Sequence, residues 1–98
     1  MSLQKDPENK EGKILHQFVD FADKTVLEIG CGEGRLTWKY AKHAKQVFAF
    51  DYDLDALRIA RADCPADLDK HTHFINVDSA HIPFTKEKFD IAILAWSL

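Results

Sequence analysis

Residues 27–35, LEIGCGEGR, constrain the fold of this chain more than any other segment. They place three glycines within five positions, directly after the mostly apolar residues 25–29. Each glycine in an ordered segment costs roughly 0.5–1 kcal/mol relative to alanine, because its backbone loses more freedom on folding. The segment therefore predicts a buried strand that ends in a sharp turn, and a loop whose backbone a bulky group approaches closely.

Apolar patterning predicts that strands and helices alternate along the chain. Helices are predicted over residues 13–22, roughly 34–44, and a segment between residues 53 and 65. Strands are predicted over residues 25–29, 47–50, 73–77 and 89–96. Asp53 or Asp55 can cap the third helix, since a short carboxylate accepts hydrogen bonds from free N–H groups at a helix start. Pro65 then ends that helix.

This alternation predicts an α/β fold, because strand–helix–strand units form right-handed crossovers between parallel strands. Ligands of such sheets bind beyond the carboxyl ends of the strands. The glycine loop, Asp51, Asp78 and the segment after Leu94 each follow a predicted strand. We expect these four parts of the chain to meet in one crevice.

The residues around this crevice indicate which ligand it binds. The loop reads G-x-G-x-G, with Arg35 where the dinucleotide fingerprint has its third glycine, and no Walker A lysine follows. The carboxylate of Glu28 would repel a pyrophosphate and favour a cation. Asp51 can accept hydrogen bonds from a ribose diol, and Asp78 can accept one from an exocyclic amine. S-adenosylmethionine, which has a ribose, a base and positive charge but no phosphate, fits this set.

Four motifs together resemble the class I S-adenosylmethionine-dependent methyltransferases, in particular those of type 11. They are E-x-G-x-G-x-G at 28–34, VFAFDYDLDAL at 47–57, VDSAHIPF at 77–84 and FDIAILAWSL at 89–98. The resemblance covers about residues 13–98 and implies a Rossmann-like, doubly wound parallel sheet. Of that sheet this chain would hold four strands in the order 3-2-1-4, with three helices. It would be the cofactor-binding half of the domain, preceded by a flexible arm at residues 1–12.

The resemblance also implies which residues bind S-adenosylmethionine or its product S-adenosylhomocysteine. They are Glu28, Gly30, Cys31, Gly32, Gly34, Asp51, Tyr52, Asp78, Ser79 and Ala95. Glu28 would lie near the amino-acid end of the cofactor, Asp51 would bind the ribose hydroxyls, and Tyr52 would lie against the adenine. No catalytic base is assigned, and no metal site is expected, because His71 and His73 have no third ligand nearby.

Composition restricts the partners of the chain. Its 13 basic and 16 acidic residues give a net charge of −3, which offers no bulk basic field for nucleic acid or for an anionic membrane. The longest apolar run is too short to span a bilayer. Two cysteines do not make a disulfide framework, so a reducing, cytoplasmic setting is expected. The methyl acceptor is expected to be a small molecule.

Two further functions stay open at this point. One is a non-catalytic nucleotide-binding or interaction module, and the other is an NAD-binding oxidoreductase fragment, which Glu28 and Arg35 disfavour. The resemblance also implies that the strand at 89–96 is central in a complete sheet. Residues 91–96 contain no proline or lysine that would blunt an exposed edge. We therefore expect the 98-residue chain by itself to self-associate through residues 90–96, or to aggregate.

Overall fold

The computed structural model describes residues 10–77 and 88–95 of the chain. Its helices are α1 (Lys10–Phe18) and α2 (Leu54–Asp63), and two 3-10 turns lie at Thr37–Lys39 and Ala41–His43. Its strands are β1 (Thr25–Ile29), β2 (Gln46–Asp51), β3 (Thr72–Asn76) and β4 (Ile91–Leu94). No helix in these two ranges is long and apolar enough to cross a membrane.

The four strands form one parallel sheet in the order β3-β2-β1-β4. In the register, Leu27 of β1 lies opposite Phe48 of β2 on one side and Ala92 of β4 on the other. The α/β fold class and the strand order are therefore confirmed. Because all strands run the same way, β1, β2 and β4 end at one edge of the sheet.

The core packs between this sheet and the segments that connect its strands. Val26 of β1 and Val47 and Ala49 of β2 are fully buried. Tyr40 is also fully buried, and its ring stacks on Phe21 with the centroids 4.8 Å apart. Burying one large apolar side chain contributes roughly 1.5–3 kcal/mol. This packing fixes the 3-10 turns against the sheet.

The start of α2 follows one of the two alternatives that the sequence left open. The side chain of Asp53 accepts a hydrogen bond from the Ala56 N–H at 3.1 Å, so Asp53 is the cap. Asp55 lies in the first turn and forms an exposed ion pair with Arg58 at 3.5 Å. The helix ends at Asp63, before Pro65, as predicted.

Helix α1 differs from its prediction at both ends. It begins at Lys10, so residues 10–12 are helical rather than part of the predicted arm, while residues 1–9 lie outside the described residues. It ends at Phe18 instead of residue 22. The cause at this end is local, since the Asp20 side chain accepts a hydrogen bond from the Ala22 N–H at 3.0 Å. Such a turn competes with the helical ladder.

The helix predicted over roughly residues 34–44 is wrong, because this segment forms the two 3-10 turns instead. Gly34 has φ +93°, a left-handed value that a continuous α-helix does not allow. Residues three apart lie on the same side of a 3-10 turn, and this places Thr37 and Tyr40 together. The predicted ends of β3 and β4 also shift by one or two residues, and residue 96 lies outside the described residues.

We predict that Gly34→Ala destabilises the fold by about 2–4 kcal/mol, which combines a left-handed backbone penalty with overpacking. A Cβ at this position would lie 2.5 Å from Cζ2 of Trp38, and the Trp38 ring packs edge-on against Phe74. Urea unfolding measures the loss.

Gly32→Ala is the matched control, because Gly32 has φ +57° and an added Cβ there would meet no atom within 4 Å. Gly32→Ala should lower stability only by the penalty of a left-handed backbone, about 1–2 kcal/mol. A double change, Gly34→Ala with Trp38→Leu, should remove the overpacking and reduce the penalty of Gly34→Ala. If Gly34→Ala lowered the free energy of unfolding equally in the wild type and in the Trp38→Leu variant, this account would be contradicted.

Candidate functional site

A cavity of about 480 Å³ opens at the carboxyl ends of β1, β2 and β4. It brings together seven of the predicted binding residues, namely Glu28, Gly30, Cys31, Gly32, Asp51, Tyr52 and Ala95. Gly34 does not line it, and its missing side chain leaves room for Trp38 instead. Asp78 and Ser79 lie outside the described residues. Five further residues also line the cavity, namely Glu33, Arg35, Leu36, Asp53 and Ala56.

The glycine loop forms the floor of this cavity. Gly30 has φ +85° and Gly32 has φ +57°, so the chain turns sharply off β1 through two left-handed residues. The N–H groups of Gly30 and Cys31 both donate to the carbonyl of Phe50, at 2.8 and 3.2 Å. The loop is thus tied to the end of β2. Since nothing lies within 4 Å of a Cβ built on Gly32, the backbone there faces open space.

Asp51 ties three segments of the site together. Its Oδ2 accepts the Gly32 N–H at 2.7 Å, and its Oδ1 accepts the Asp53 N–H at 2.8 Å. The Asn76 amide donates to the backbone carbonyls of Asp51 and Tyr52, each at 3.1 Å. An ionised carboxylate has about four lone-pair positions, so two remain for a ligand. Asn76 was not identified from the sequence as a residue of this site, although a polar residue at the end of β3 is the kind of position that indicates one.

Glu28 is a titratable side chain that is fully buried near the carboxyl end of β1. Its Oε1 accepts hydrogen bonds from the hydroxyls of Thr37 and Tyr40, both at 2.6 Å. Its Oε2 is buried and has no hydrogen-bond partner. Burial raises the pKa of the Glu28 carboxyl, although the two hydroxyls and the Arg35 charge oppose this, and Asp51 adds to it. A cation in the cavity would satisfy the unpartnered oxygen.

Cys31, His71 and His73 make contacts within the protein that leave them poorly placed to react or to bind a metal ion. Cys31 is buried, and burial raises the pKa of its thiol, which keeps it a poor nucleophile. Nε2 of His71 lies 2.8 Å from the Ala41 carbonyl, and Nε2 of His73 lies 2.9 Å from Oε1 of Gln46. Residues 10–77 and 88–95 contain no group of three or more side chains arranged to hold a metal ion.

The sequence profile of one protein family, described as "Methyltransferase domain", matches residues 26–98. This range includes the glycine loop, the buried carboxylate of Glu28 and Asp51. The chain belongs to the methyltransferase domain family. Within this methyltransferase domain, the cavity lies where an open α/β sheet binds its ligands, at the carboxyl ends of the strands.

The chain is also similar to individual methyltransferases of known name. Phosphoethanolamine N-methyltransferase 1 from Triticum aestivum is 32% identical over 100 residues, which is 99% of this chain and 20% of that protein. A dimethyladenosine transferase structure from Plasmodium falciparum has a TM-score of 0.76 and 27% identity, over 98% of this chain and 34% of that one.

A third relative is the Haemonchus contortus phosphoethanolamine N-methyltransferase 1, solved with phosphoethanolamine and S-adenosylhomocysteine. It has a TM-score of 0.75 at 22% identity, over 85% of this chain and 17% of that one, and this likeness concerns the fold. The chain therefore spans between about a sixth and a third of the length of these proteins.

We predict that Glu28→Gln gains stability relative to the wild type as the pH rises from 4.5 towards neutrality. Burial raises the folded-state pKa of Glu28 above its ordinary value of 4.5. Between these two values the folded wild type binds more protons than the unfolded chain, so its stability falls as the pH rises. Glutamine does not titrate, and thermal unfolding at a series of pH values measures the difference.

Asp53→Asn is the control, since it removes a carboxylate from the exposed rim of the cavity and keeps a good helix cap. Asp53→Asn should show no comparable gain in stability relative to the wild type as the pH rises. If the stabilities of Glu28→Gln and of the wild type changed in parallel over this pH range, the account of Glu28 would be contradicted.

Proposed function

We propose that this chain is the cofactor-binding part of an S-adenosylmethionine-dependent methyltransferase. The observation that carries the proposal is the unpartnered Oε2 of Glu28, a buried oxygen in a side chain that lines the cavity. A buried carboxylate without a partner is costly, and a cationic ligand removes that cost. The α-ammonium group of S-adenosylmethionine supplies such a cation.

Other residues of the cavity suit the remaining parts of the cofactor. The free lone pairs of Asp51 can accept hydrogen bonds from ribose hydroxyls. Tyr52 is 70% exposed at the rim and offers a ring face to a base. Gly32 leaves open space beside the loop, and Ala95 contributes only a methyl group. The cavity volume of about 480 Å³ lies in the usual range for small ligands, roughly 300–1,000 Å³.

The role of these residues in methyl transfer is to bind and orient. When bound, S-adenosylmethionine supplies a methyl group that its positively charged sulfur has already activated. Fixing the reacting groups in place contributes to rate without any proton transfer. Both oxygens of Asp51 accept backbone N–H groups, and burial raises the pKa of the Cys31 thiol. We therefore assign neither residue to proton transfer.

The acceptor is proposed to be a small molecule. A net charge of −3 gives the chain no overall positive charge to attract nucleic-acid phosphates. The relatives named above include both a phosphoethanolamine and a dimethyladenosine enzyme by name. Free Cys31 and Cys64 suit a reducing compartment, and we propose the cytoplasm.

We predict that the chain binds S-adenosylhomocysteine at least about tenfold more tightly than NAD, a difference of about 1.4 kcal/mol. The physical reason is charge, because Glu28 would repel a pyrophosphate and accept an ammonium group, whereas both ligands offer Asp51 a ribose diol. Titration calorimetry with the two ligands measures both affinities. Tighter binding of NAD would favour an oxidoreductase fragment, and binding of neither ligand would favour an interaction module. Either result would overturn the proposal.

We also propose that β4 pairs with β4 of a second copy of the 98-residue chain. In the described part of the chain β4 pairs with β1, and no strand lies on its other side. Leu94 on this strand is 66% exposed. An edge strand without proline or lysine is a template for pairing.

Sedimentation velocity tests this pairing. We expect the wild type to dimerise with rising concentration and Leu94→Lys to weaken the dimer by about tenfold or more, since a lysine on an edge strand blunts pairing. Leu54→Lys is the control, because Leu54 is 40% exposed on α2, outside the sheet. A wild type that stays monomeric, or equal effects of the two lysines, would contradict the proposal.

A further inference from the structure

Two hydroxyl groups converge on one oxygen of Glu28. The Thr37 and Tyr40 hydroxyls both donate to Oε1 at 2.6 Å, and Oε2 receives no hydrogen bond. All three side chains are fully buried. The carboxylate is therefore held on one side only.

The backbone of the 3-10 turns makes this arrangement possible. Residues three apart eclipse one another in a 3-10 turn, whereas in an α-helix they point about 60° apart around the axis. Thr37 begins the first turn and Tyr40 directly follows it, so both hydroxyls reach the same atom. The stacking of Tyr40 on Phe21 fixes the tyrosine ring independently of its hydroxyl.

We propose that Thr37 and Tyr40 are positioning residues that hold Oε1 of Glu28 and so present Oε2 to the cationic end of the ligand. This inference rests on the proposed function, because it concerns how the same site recognises the ammonium group. Neither hydroxyl touches the ligand. Their effect is exerted through the orientation and charge of the carboxylate.

The surrounding charges set the direction of the pH effect. Groups that act on Glu28 are Arg35, which favours its ionised form, and Asp51, which disfavours it. The two hydroxyls favour the ionised form, and burial disfavours it. Removing one hydroxyl therefore raises the pKa of Glu28 further. The pH at which cation binding becomes strong should move upward with it.

The test compares two ligands on the full chain by titration calorimetry. S-adenosylhomocysteine carries the ammonium group, and 5′-methylthioadenosine shares its adenosine and thioether but lacks the amino-acid end. We expect Tyr40→Phe to weaken binding of S-adenosylhomocysteine by about 5- to 20-fold, less than the roughly 10- to 150-fold of a direct hydrogen bond to a charged group, because the hydroxyl acts through the carboxylate. Binding of methylthioadenosine should stay within about twofold, since this ligand has no cation for Glu28 to meet.

Thr37→Val should act like Tyr40→Phe, and Thr37→Ser should restore wild-type affinity because serine keeps the hydroxyl. The pH midpoint of S-adenosylhomocysteine binding should be higher for both hydroxyl deletions. Phenylalanine keeps the stacked ring, and circular dichroism checks that each variant is folded. Equal losses for the two ligands, or no loss for either, would overturn the positioning role. Failure of the wild type to bind S-adenosylhomocysteine would overturn the proposed function itself.

Discussion

The burial of a carboxylate in the central strand of a parallel sheet is the constraint on which this structure depends. Glu28 lies on β1, between β2 and β4, with no exposed surface. A carboxylate in this position is costly to bury unless its oxygens have partners. Two hydroxyls satisfy one oxygen, and this requirement shapes the 3-10 turns that deliver them. The other oxygen is buried without a hydrogen-bond partner, and the proposed preference of the cavity for a cation rests on it.

A second carboxylate gives the site its rigidity. Asp51 accepts backbone N–H groups from the glycine loop and from the start of α2, so it connects the loop after β1 to the turn after β2. Asn76 fixes the same turn from β3. These side chains bind backbone groups of the loop and of the turn, and the geometry of the cavity is therefore set before a ligand arrives. Preorganisation of this kind reduces the entropy lost on binding.

The sequence predicted the sheet edge and the crevice well, because strand periodicity and glycine turns are local signals. β1 had the predicted bounds, and Glu28 and Asp51 do line one cavity. The strand order depended on resemblance to a family rather than on any local pattern. The role of Gly34 could not be predicted from the neighbouring sequence, because glycine is needed there to make room for the Trp38 ring. The segment at 34–44 has helical periodicity, but Gly34 has a left-handed backbone and two 3-10 turns follow it in place of the helix.

The most direct measurement of the central claim is the titration of Glu28 itself. Carbon-13 NMR of the Glu28 side-chain carboxyl, assigned with Glu28→Gln, reports its pKa in the free chain and with S-adenosylhomocysteine bound. Burial predicts a raised pKa in the free chain. An ammonium group beside Oε2 predicts that this pKa falls when the ligand binds. A carboxyl pKa that is unchanged or rises on binding would contradict the account, because no cation would then lie beside Glu28.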